Sequence, residues 1–122
     1  MNLVKVDVMG GNLNFGGATM PVPRETAELA DKAGQKVTVG VRPEDMDLVG
    51  EGQGLATVVN LVEELGADAY IYGTATVDGK PHDIIARVDG RKPPMKGDQI
   101  HLAPKQGHVH LFSTDTGERL PS

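Results

Sequence analysis

The sequence predicts an all-β fold with one short helix, in which about eight short antiparallel strands form a small barrel or sandwich. Segments that alternate apolar and polar residues recur, and turn-forming glycine, proline and aspartate separate them about every 8 to 12 residues. The 122 residues include only two Phe, two Tyr and no Trp, so Val, Leu, Ile and Ala must form the core. A closed barrel is favoured over an open sheet because closure removes apolar strand edges.

The first third of the chain is predicted to hold small strands and the helix. Valines at every second position predict a strand over Met1–Met9, and glycine pairs on both sides of Asn12–Phe15 predict a meander that continues to Val22. Prolines end this run. Alanines at helical spacing beside charged residues then predict a helix over Arg24–Ala33, which Gly34 closes as a C-cap.

Two strands folded back on each other form the centre of the predicted sheet. The first is Leu55–Leu65, and the second, Ala69–Val77, follows a turn at Gly66-Ala67-Asp68, where glycine supplies the free backbone torsion. Alternation places Tyr70 and Tyr72 on the face turned away from the core. The core face of the first strand is predicted to carry Leu55, Val59, Leu61 and Leu65.

The other segments complete the predicted barrel. Proline ends the strand Val37–Val41, and Pro43–Gly54 is predicted to be a loop rich in acidic residues and glycine. The dipeptide Asp78-Gly79 is typical of a hairpin turn. Residues 114–122 are expected to form a flexible tail. The last predicted strands are Asp83–Asp89, Gln99–Ala103 and Val109–Ser113.

The charge balance argues against nucleic acid and anionic membranes as partners. The formal net charge is -5 and the pI is near 5.2, and no cluster of lysine and arginine forms a basic patch. No apolar run approaches the roughly 20 residues that cross a bilayer, so direct membrane insertion is not expected. The absence of cysteine excludes disulfides and thiolate chemistry, which fits a reducing cytoplasm.

No motif predicts a catalytic residue, a cofactor or a bound metal. Gly73–Pro81 superficially resembles a phosphate-binding loop, but five residues separate its glycines and proline follows its lysine, so it is interpreted as a hairpin. His108 and His110 share one face of a predicted strand, a spacing that can hold zinc or copper. Because no second ligand pair supports a metal, solvent-facing histidines are the preferred interpretation. The adjacent Glu63 and Glu64 are interpreted as solvated charge.

Four motifs in the same order resemble one protein family. Val39–Asp45 (VGVRPED) resembles the G-[IV]-R-P-E signature in the C-terminal domain of ATP-binding subunits of sugar ABC importers of the maltose/trehalose/glycerol-phosphate class. The resemblance covers essentially the whole chain, and its wording is most similar to actinobacterial members. The other matching segments are Val62–Gly73 (VEELGADAYIYG), Ala86–Gly97 (ARVDGRKPPMKG) and Gly107–Phe112 (GHVHLF).

The resemblance implies OB-fold-like β-barrels, known as a transport-associated OB (TOBE-type) domain, and a single regulatory domain over residues 1–122. Met1-Asn2-Leu3 resembles the point just after the family's ATPase domain. The family's phosphate loop, signature motif and switch histidine are missing, so this chain is not expected to hydrolyse ATP. ATP and Mg²⁺ would belong to the longer parent protein.

The same resemblance implies partners and a location. The domain is similar to a homodimer platform that follows its own ATPase domain and acts through it on membrane permease subunits. In some family members it also docks a cytosolic regulatory protein. The implied location is the cytoplasm, peripheral to the inner face of the cell membrane.

Five residues are therefore the candidate interface and regulatory positions: Arg42, Glu44, Asp45, Tyr70 and Tyr72. For Arg42 and Glu44 two interpretations stay open, an ion pair or loop anchor that stabilises the turn, and a contact with a partner. Tyrosine suits interfaces because it offers apolar area and one hydrogen bond. The expected function is a regulatory and dimerisation module without catalysis.

The alternative function is a small-ligand or oxyanion sensor, by similarity to OB-type domains of molybdate transport. The sequence lacks that group's Ser-Ala-Arg-Asn wording, and its acidic balance opposes anions. A hydrolase that uses the histidines is a third and weaker interpretation.

Overall fold

The strands are arranged in two antiparallel sheets, in a computed structural model that describes residues 1–32, 34–77, 79–105 and 107–121. The helix α1 spans Arg24–Lys32, and a 3-10 turn spans Pro43–Asp45. The described strands are β1 (Asn2–Met9), β2 (Asn12–Phe15), β3 (Ala18–Pro21), β4 (Lys36–Val41), β5 (Met46–Val49), β6 (Leu55–Glu64), β7 (Asp68–Val77), β8 (Lys80–Asp89), β9 (Gln99–Pro104), β10 (His110–Phe112) and β11 (Arg119–Leu120).

The first sheet has the strand order β11-β10-β4-β1-β2-β3. Every second residue of β1 is buried, including Val4, Val6 and Val8, because one face of this antiparallel sheet covers the core and the other meets solvent. Strand β4 pairs with β1 from Asn2 opposite Val41 onward, and α1 packs against both strands.

The second sheet has the order β5-β9-β6-β7-β8. Its edge strands β5 and β8 lie against each other but are not hydrogen-bonded neighbours, so the sheet curls into a partly open barrel. We call the gap between β5 and β8 the seam. The 3-10 turn also lies against β8, next to the seam.

One apolar core lies between the two sheets. Both sheets contribute to it because each buries only one face, and neither could remove enough apolar surface from water alone. The largest fully buried side chains of the described residues, all but Ile71 members of this core, are Phe15, Leu13, Met46, Ile71, Ile84, Leu102, Leu111, Val4, Val8, Val37, Val39 and Val41.

A buried asparagine connects the sheets through hydrogen bonds. The carboxamide of Asn2 donates to the carbonyl of Val41 at 3.1 Å and to the carbonyl of Ile85 at 2.8 Å. Its oxygen accepts the N–H of Ile85 at 2.7 Å. The side chain of Asn2 in β1 therefore satisfies the hydrogen-bonding groups of Ile85 on the unpaired edge of β8.

The predicted all-β fold with one short helix is confirmed, and most strands lie where the alternation placed them. The central pair is confirmed as β6 and β7, and Val77 pairs with Lys80 in the predicted hairpin to β8. Ala33 of the predicted helix and Asp78 of the predicted turn lie outside the described residues.

The prediction of a loop over Pro43–Gly54 is wrong for its first half. That half contains the 3-10 turn and β5, which pairs with β9 from Met46 opposite Pro104 to Val49 opposite His101. Met46 is buried in the core, and its burial holds this short segment in the sheet.

The predicted core face of β6 is wrong beyond Val59. The pairing register with β7 shifts between Val59 and Leu61, so Asn60 is the extra residue of a β-bulge. The shift turns Leu61 to the outer face, where its side chain is 57% exposed, and Leu65 beyond it is 53% exposed. One inserted residue exchanges the two faces of a strand because side chains alternate with period two.

The C-terminal segment contains a strand where a frayed tail was predicted. Arg119–Leu120 forms β11 and pairs with β10, and the hydroxyl of Thr26 in α1 donates to the carbonyl of Pro121 at 2.5 Å. The mobility of residues 114–122 stays a prediction, and Ser122 lies outside the described residues. Among the helices in the described ranges, none is long and apolar enough to cross a membrane.

Replacing Asn2 with alanine should lower the free energy of unfolding by about 2–3 kcal/mol, because it leaves peptide groups of Ile85 and Val41 without their partner. Chemical denaturation measures the change. The exposed Asn12, whose side chain reaches only the nearby Gly10 carbonyl, is the matched control, and Asn12→Ala should cost no more than about 0.5 kcal/mol. Equal effects of the two substitutions would contradict a special role for Asn2.

Candidate functional site

The R-P-E motif forms the tight turn between the two sheets. The backbone of Arg42 is extended, with φ -74° and ψ 150°. Pro43 occupies the first position of the 3-10 turn, where its ring fixes the φ angle that the turn requires. The N–H of Asp45 donates to the carbonyl of Arg42 at 2.9 Å, and the N–H of Met46 donates to the carbonyl of Pro43. The motif is thus a well-bonded turn that starts β5.

Asp45 anchors this turn to the segment after β9. Its carbonyl accepts the N–H of Lys105 at 2.7 Å, and its carboxylate lies 3.4 Å from Nδ1 of His108. The Asp45 side chain is only 18% exposed. Its position therefore supports a structural role in addition to any contact with a partner.

Arg42 and Glu44 are both exposed, and within the described ranges no ion pair joins them. Of the two interpretations left open by the sequence, the ion pair between these two residues is not formed. The charge of Glu44 instead helps to raise the pKa of Arg87 in β8, as the last of several causes. Arg42 remains available at the surface as a candidate contact.

A groove of about 830 Å³ lies at the seam, between the 3-10 turn with β5 on one side and the end of β8 on the other. It is lined by both signs of charge, so it does not form a simple anion or cation site. The lining residues are Glu44, Met46, Asp47, Leu48, Ala67, Asp68, Arg87, Val88, Asp89, Arg91 and Lys105.

Arg87 is the residue that connects the groove with the outer face of the second sheet. Its guanidinium is hydrogen-bonded and ion-paired with Asp68. The hydrogen bond that Arg87 donates to Asp68, and then the charge of Asp68, raise the pKa of Arg87, with smaller contributions from Tyr70 and Glu44. Two of the candidate residues, Glu44 and Tyr70, therefore both contribute to the electrostatic environment of Arg87.

A second ion pair closes the end of β8. The guanidinium of Arg91 contacts both carboxylate oxygens of Asp89, at 2.6 to 3.1 Å, and its backbone N–H also donates to Asp89 at 2.9 Å. These hydrogen bonds lower the pKa of Asp89 from 3.8 to about 2. Two of the three cations that line the groove are thus already neutralised by neighbouring carboxylates.

Tyr70 and Tyr72 lie half-buried on the outer face of the second sheet, as the alternation predicted. Tyr72 is directly opposite Leu61 of β6 and Ile85 of β8. Val58 at 47% and Leu61 at 57% exposure extend the apolar area beside the tyrosines. This face is the largest concentration of aromatic and exposed aliphatic side chains on the described strands of the second sheet.

The two histidines do not form a shared site. His110 opens β10 and lies 2.7 Å from Arg119, whereas His108 precedes the strand and lies beside Asp45. The prediction that both share one strand face is therefore wrong. Across the described residues, no group of three or more His, Cys, Asp or Glu side chains is placed to hold a metal ion.

Sequence reasoning missed Asn2, Asp68, Arg87, Asp89 and Arg91 as residues that shape the site. The pairing of Arg87 with Asp68 depends on the register of β7 and β8, which the sequence alone did not supply. The tripeptide Asp89-Gly90-Arg91 is a local signal that predicts a turn stabilised by an ion pair.

The fold and this turn define a TOBE-type domain of the OB class. Residues 39–112 match the family model of the TOBE domain, and residues 1–46 match that of the MalK OB fold domain. Because the first match covers more than half of the chain, the protein belongs to the TOBE domain family. The resemblance drawn from the R-P-E motif is thereby confirmed.

The relatives are ATP-binding subunits of sugar ABC importers. The chain is 45% identical to the diacetylchitobiose uptake system ATP-binding protein MsiK of Streptomyces coelicolor, over 98% of this chain and 36% of MsiK. It is 34% identical to the sn-glycerol-3-phosphate import ATP-binding protein UgpC of Cereibacter sphaeroides, over 98% of this chain and 32% of that relative. The chain therefore spans about a third of the length of these curated relatives.

The ion pair of Asp89 gives a pH prediction. Because folding lowers the pKa of Asp89 to about 2, the pair contributes stability above pH 3.8, and the contribution is lost as the pH falls through about 2. A carbon NMR titration of the carboxyl group should give a midpoint near 2, and Arg91→Gln should move it back toward 3.8. Arg24→Gln on α1 is the control and should leave it in place. An unshifted midpoint in the unsubstituted chain would contradict the geometry.

Proposed function

We propose that this chain is a regulatory and dimerisation domain of the ATP-binding subunit of a sugar ABC importer. It acts through protein contacts and carries out no catalysis of its own. The observation that carries the proposal is the outer face of the second sheet, where Tyr70 and Tyr72 lie beside exposed Leu61 and Val58. Family membership supports the importer context.

The chemistry of this face suits a protein partner. Half-buried tyrosines offer large apolar rings and a hydroxyl group, and they lose little conformational entropy on binding. Charged Glu63 and Arg87 flank Tyr70 in the pairing register and would form a polar rim. A sheet face with this composition is suited to contact with a second protein surface.

The partners follow from the importer context. In the longer subunit we propose that the domain follows an ATPase domain that binds ATP and Mg²⁺, and that it acts through that domain on membrane permease subunits. The exposed Arg42 and Glu44 of the R-P-E turn, with Asp45 behind them, offer a separate surface for a cytosolic regulatory protein. The proposed location is the cytoplasm, at the inner face of the membrane.

A second candidate function, an oxyanion or small-ligand sensor, is favoured by one observation: Arg87, Arg91 and Lys105 line the groove. The ion pairs of Arg87 and Arg91 leave Lys105 as the cation most able to receive an anion. Calorimetry with molybdate, sulfate and sugar phosphates tests the sensor. Heat that Lys105→Ala abolishes would support it, and a docking domain should give no heat.

Substituting Tyr70 or Tyr72 with alanine should weaken self-association by about tenfold, equivalent to about 1.4 kcal/mol, because each ring contributes apolar contact area. Light scattering over a wide concentration range measures the association. The exposed Leu29 on α1 offers the control, and Leu29→Ala should change nothing. A chain that stays monomeric at all concentrations, or dimers unaffected by both tyrosine variants, would contradict the proposed interface.

A further inference from the structure

The groove at the seam carries charges that largely neutralise each other. Four carboxylates and three cations line it. Arg87 is paired with Asp68, and Arg91 is paired with Asp89, so two of the three cations already have a partner. A charged ligand would have to compete with these ion pairs, and it would meet both signs of charge. The groove therefore favours a ligand without net charge.

Free hydrogen-bonding groups lie beside these ion pairs. Asp47 on β5 and Lys105 after β9 are exposed, and neither forms an ion pair within the described ranges. The backbone of β8 adds neutral groups. Ile85 turns its N–H and carbonyl to the unpaired edge, so those of Arg87, two residues further along the strand, face the same edge. Outside the strand pairing, the peptide groups of Arg87 have no hydrogen-bond partner among the described residues.

Apolar side chains lie between the polar groups of the groove. Met46, Leu48, Ala67 and Val88 all line it, and Leu48 is 45% exposed. The volume of about 830 Å³ is within the roughly 300 to 1,000 Å³ that is usual for small-molecule sites. The groove thus offers hydrogen-bond donors, hydrogen-bond acceptors and apolar surface within the reach of one small molecule.

We propose that this groove binds a neutral, hydroxyl-rich molecule of the class of sugars and polyols. A hydroxyl group both donates and accepts, so such a ligand can bond carboxylates, guanidinium groups and backbone groups without breaking either ion pair. Hydrogen bonds to ionised groups are roughly twice as strong as neutral ones. The inference goes beyond the proposed function, because it stands on the groove alone, and it differs from the second candidate function in the charge of the ligand.

An oxyanion would fit the same groove less well. Lys105 is the one lining cation without an ion pair within the described ranges, whereas two lining carboxylates, those of Glu44 and Asp47, are also without one. Like charges repel an entering anion, so the two carboxylates oppose what Lys105 favours. A neutral ligand meets no such repulsion, and it can use all three side chains.

Amide NMR spectra of the isotope-labelled chain measure binding and locate it. Maltose and glucose are the neutral probes, and glucose-6-phosphate carries the same ring with a negative charge. Maltose should shift the amide signals of Leu48, Val88 and Asp89 saturably, while the signals of α1 stay in place. We expect a dissociation constant of about 1 to 10 mM, because an open groove buries only part of the ligand. Glucose-6-phosphate should bind no more tightly than glucose.

Two substitutions test the polar and the apolar contacts separately. Asp47→Asn should raise the dissociation constant of maltose about fivefold, because it removes the charge from an acceptor of nearly the same shape. Asp31→Asn on α1 makes the same change and should have no effect. Leu48→Ser should raise the constant about threefold by removing apolar surface. Leu29→Ser, at a similarly exposed position of α1, is its control.

The salt dependence gives an independent measurement of the charge of the ligand. Between about 50 and 500 mM sodium chloride, the affinity for maltose should change by less than about twofold, because screening acts on charged ligands. Asp47→Asn provides a second distinction, since the loss of a carboxylate should tighten the binding of an anion but weaken that of a neutral sugar.

Three results would overturn the inference. They are the absence of saturable shifts with both sugars, equal effects of Asp47→Asn and Asp31→Asn, and glucose-6-phosphate binding at least tenfold tighter than glucose through Lys105. The self-association measured by light scattering is a separate readout. A chain that dimerises but binds neither sugar would leave the proposed function intact and overturn this inference, whereas a monomeric chain that binds maltose would do the reverse.

Discussion

The arrangement of the two sheets depends on the carboxamide of Asn2, which bonds the backbone of the edge strand β8 where that strand has no neighbouring strand. It accepts the N–H and donates to the carbonyl of Ile85, as a residue of a paired strand would, and also donates to Val41. Asn2 begins β1 and Val41 ends β4, so the same bonds fix where the chain leaves the first sheet. The R-P-E turn, which follows Val41, therefore packs against β8. The groove at the seam lies between this turn with β5 on one side and the end of β8 on the other.

Both edges of the first sheet, β3 and β11, also have a local feature that limits pairing with another strand. Thr26 of α1 binds the carbonyl of Pro121 beside β11, and Pro21 leaves β3 with one fewer free N–H group. Free strand edges invite pairing with other chains, so these devices disfavour association through edges. The outer face of β6, β7 and β8 has no such cover among the described residues, and association through that face is what the fold leaves open.

Local sequence patterns predicted most of the fold. The features that they missed depend on how strands distant in sequence pair with each other. Alternating valines placed β1 and β4, and the turn at Gly66 placed β6 and β7, because these signals lie within a few residues. Strand β5 was missed since four residues between a proline and three glycines carry little alternation, and only the burial of Met46 reveals it. Of the candidate site, the sequence supplied the tyrosine face and the R-P-E turn. It could not supply the pairing of Arg87 with Asp68, which are 19 residues apart.

The bulge at Asn60 explains how a core-like strand comes to present a contact surface. Without the extra residue, Leu61 would share the buried face of Val59, as the sequence predicted. The bulge is held on both sides: Asn60 donates to the hydroxyl of Thr74 at 2.7 Å, and Val59 bonds to Asp98 and Gly97 at 2.9 and 2.8 Å. Because three hydrogen bonds hold it, the bulge is a stable structural feature of the fold. Its effect is to place Leu61 beside Tyr72, at the centre of the face through which we propose that the domain associates.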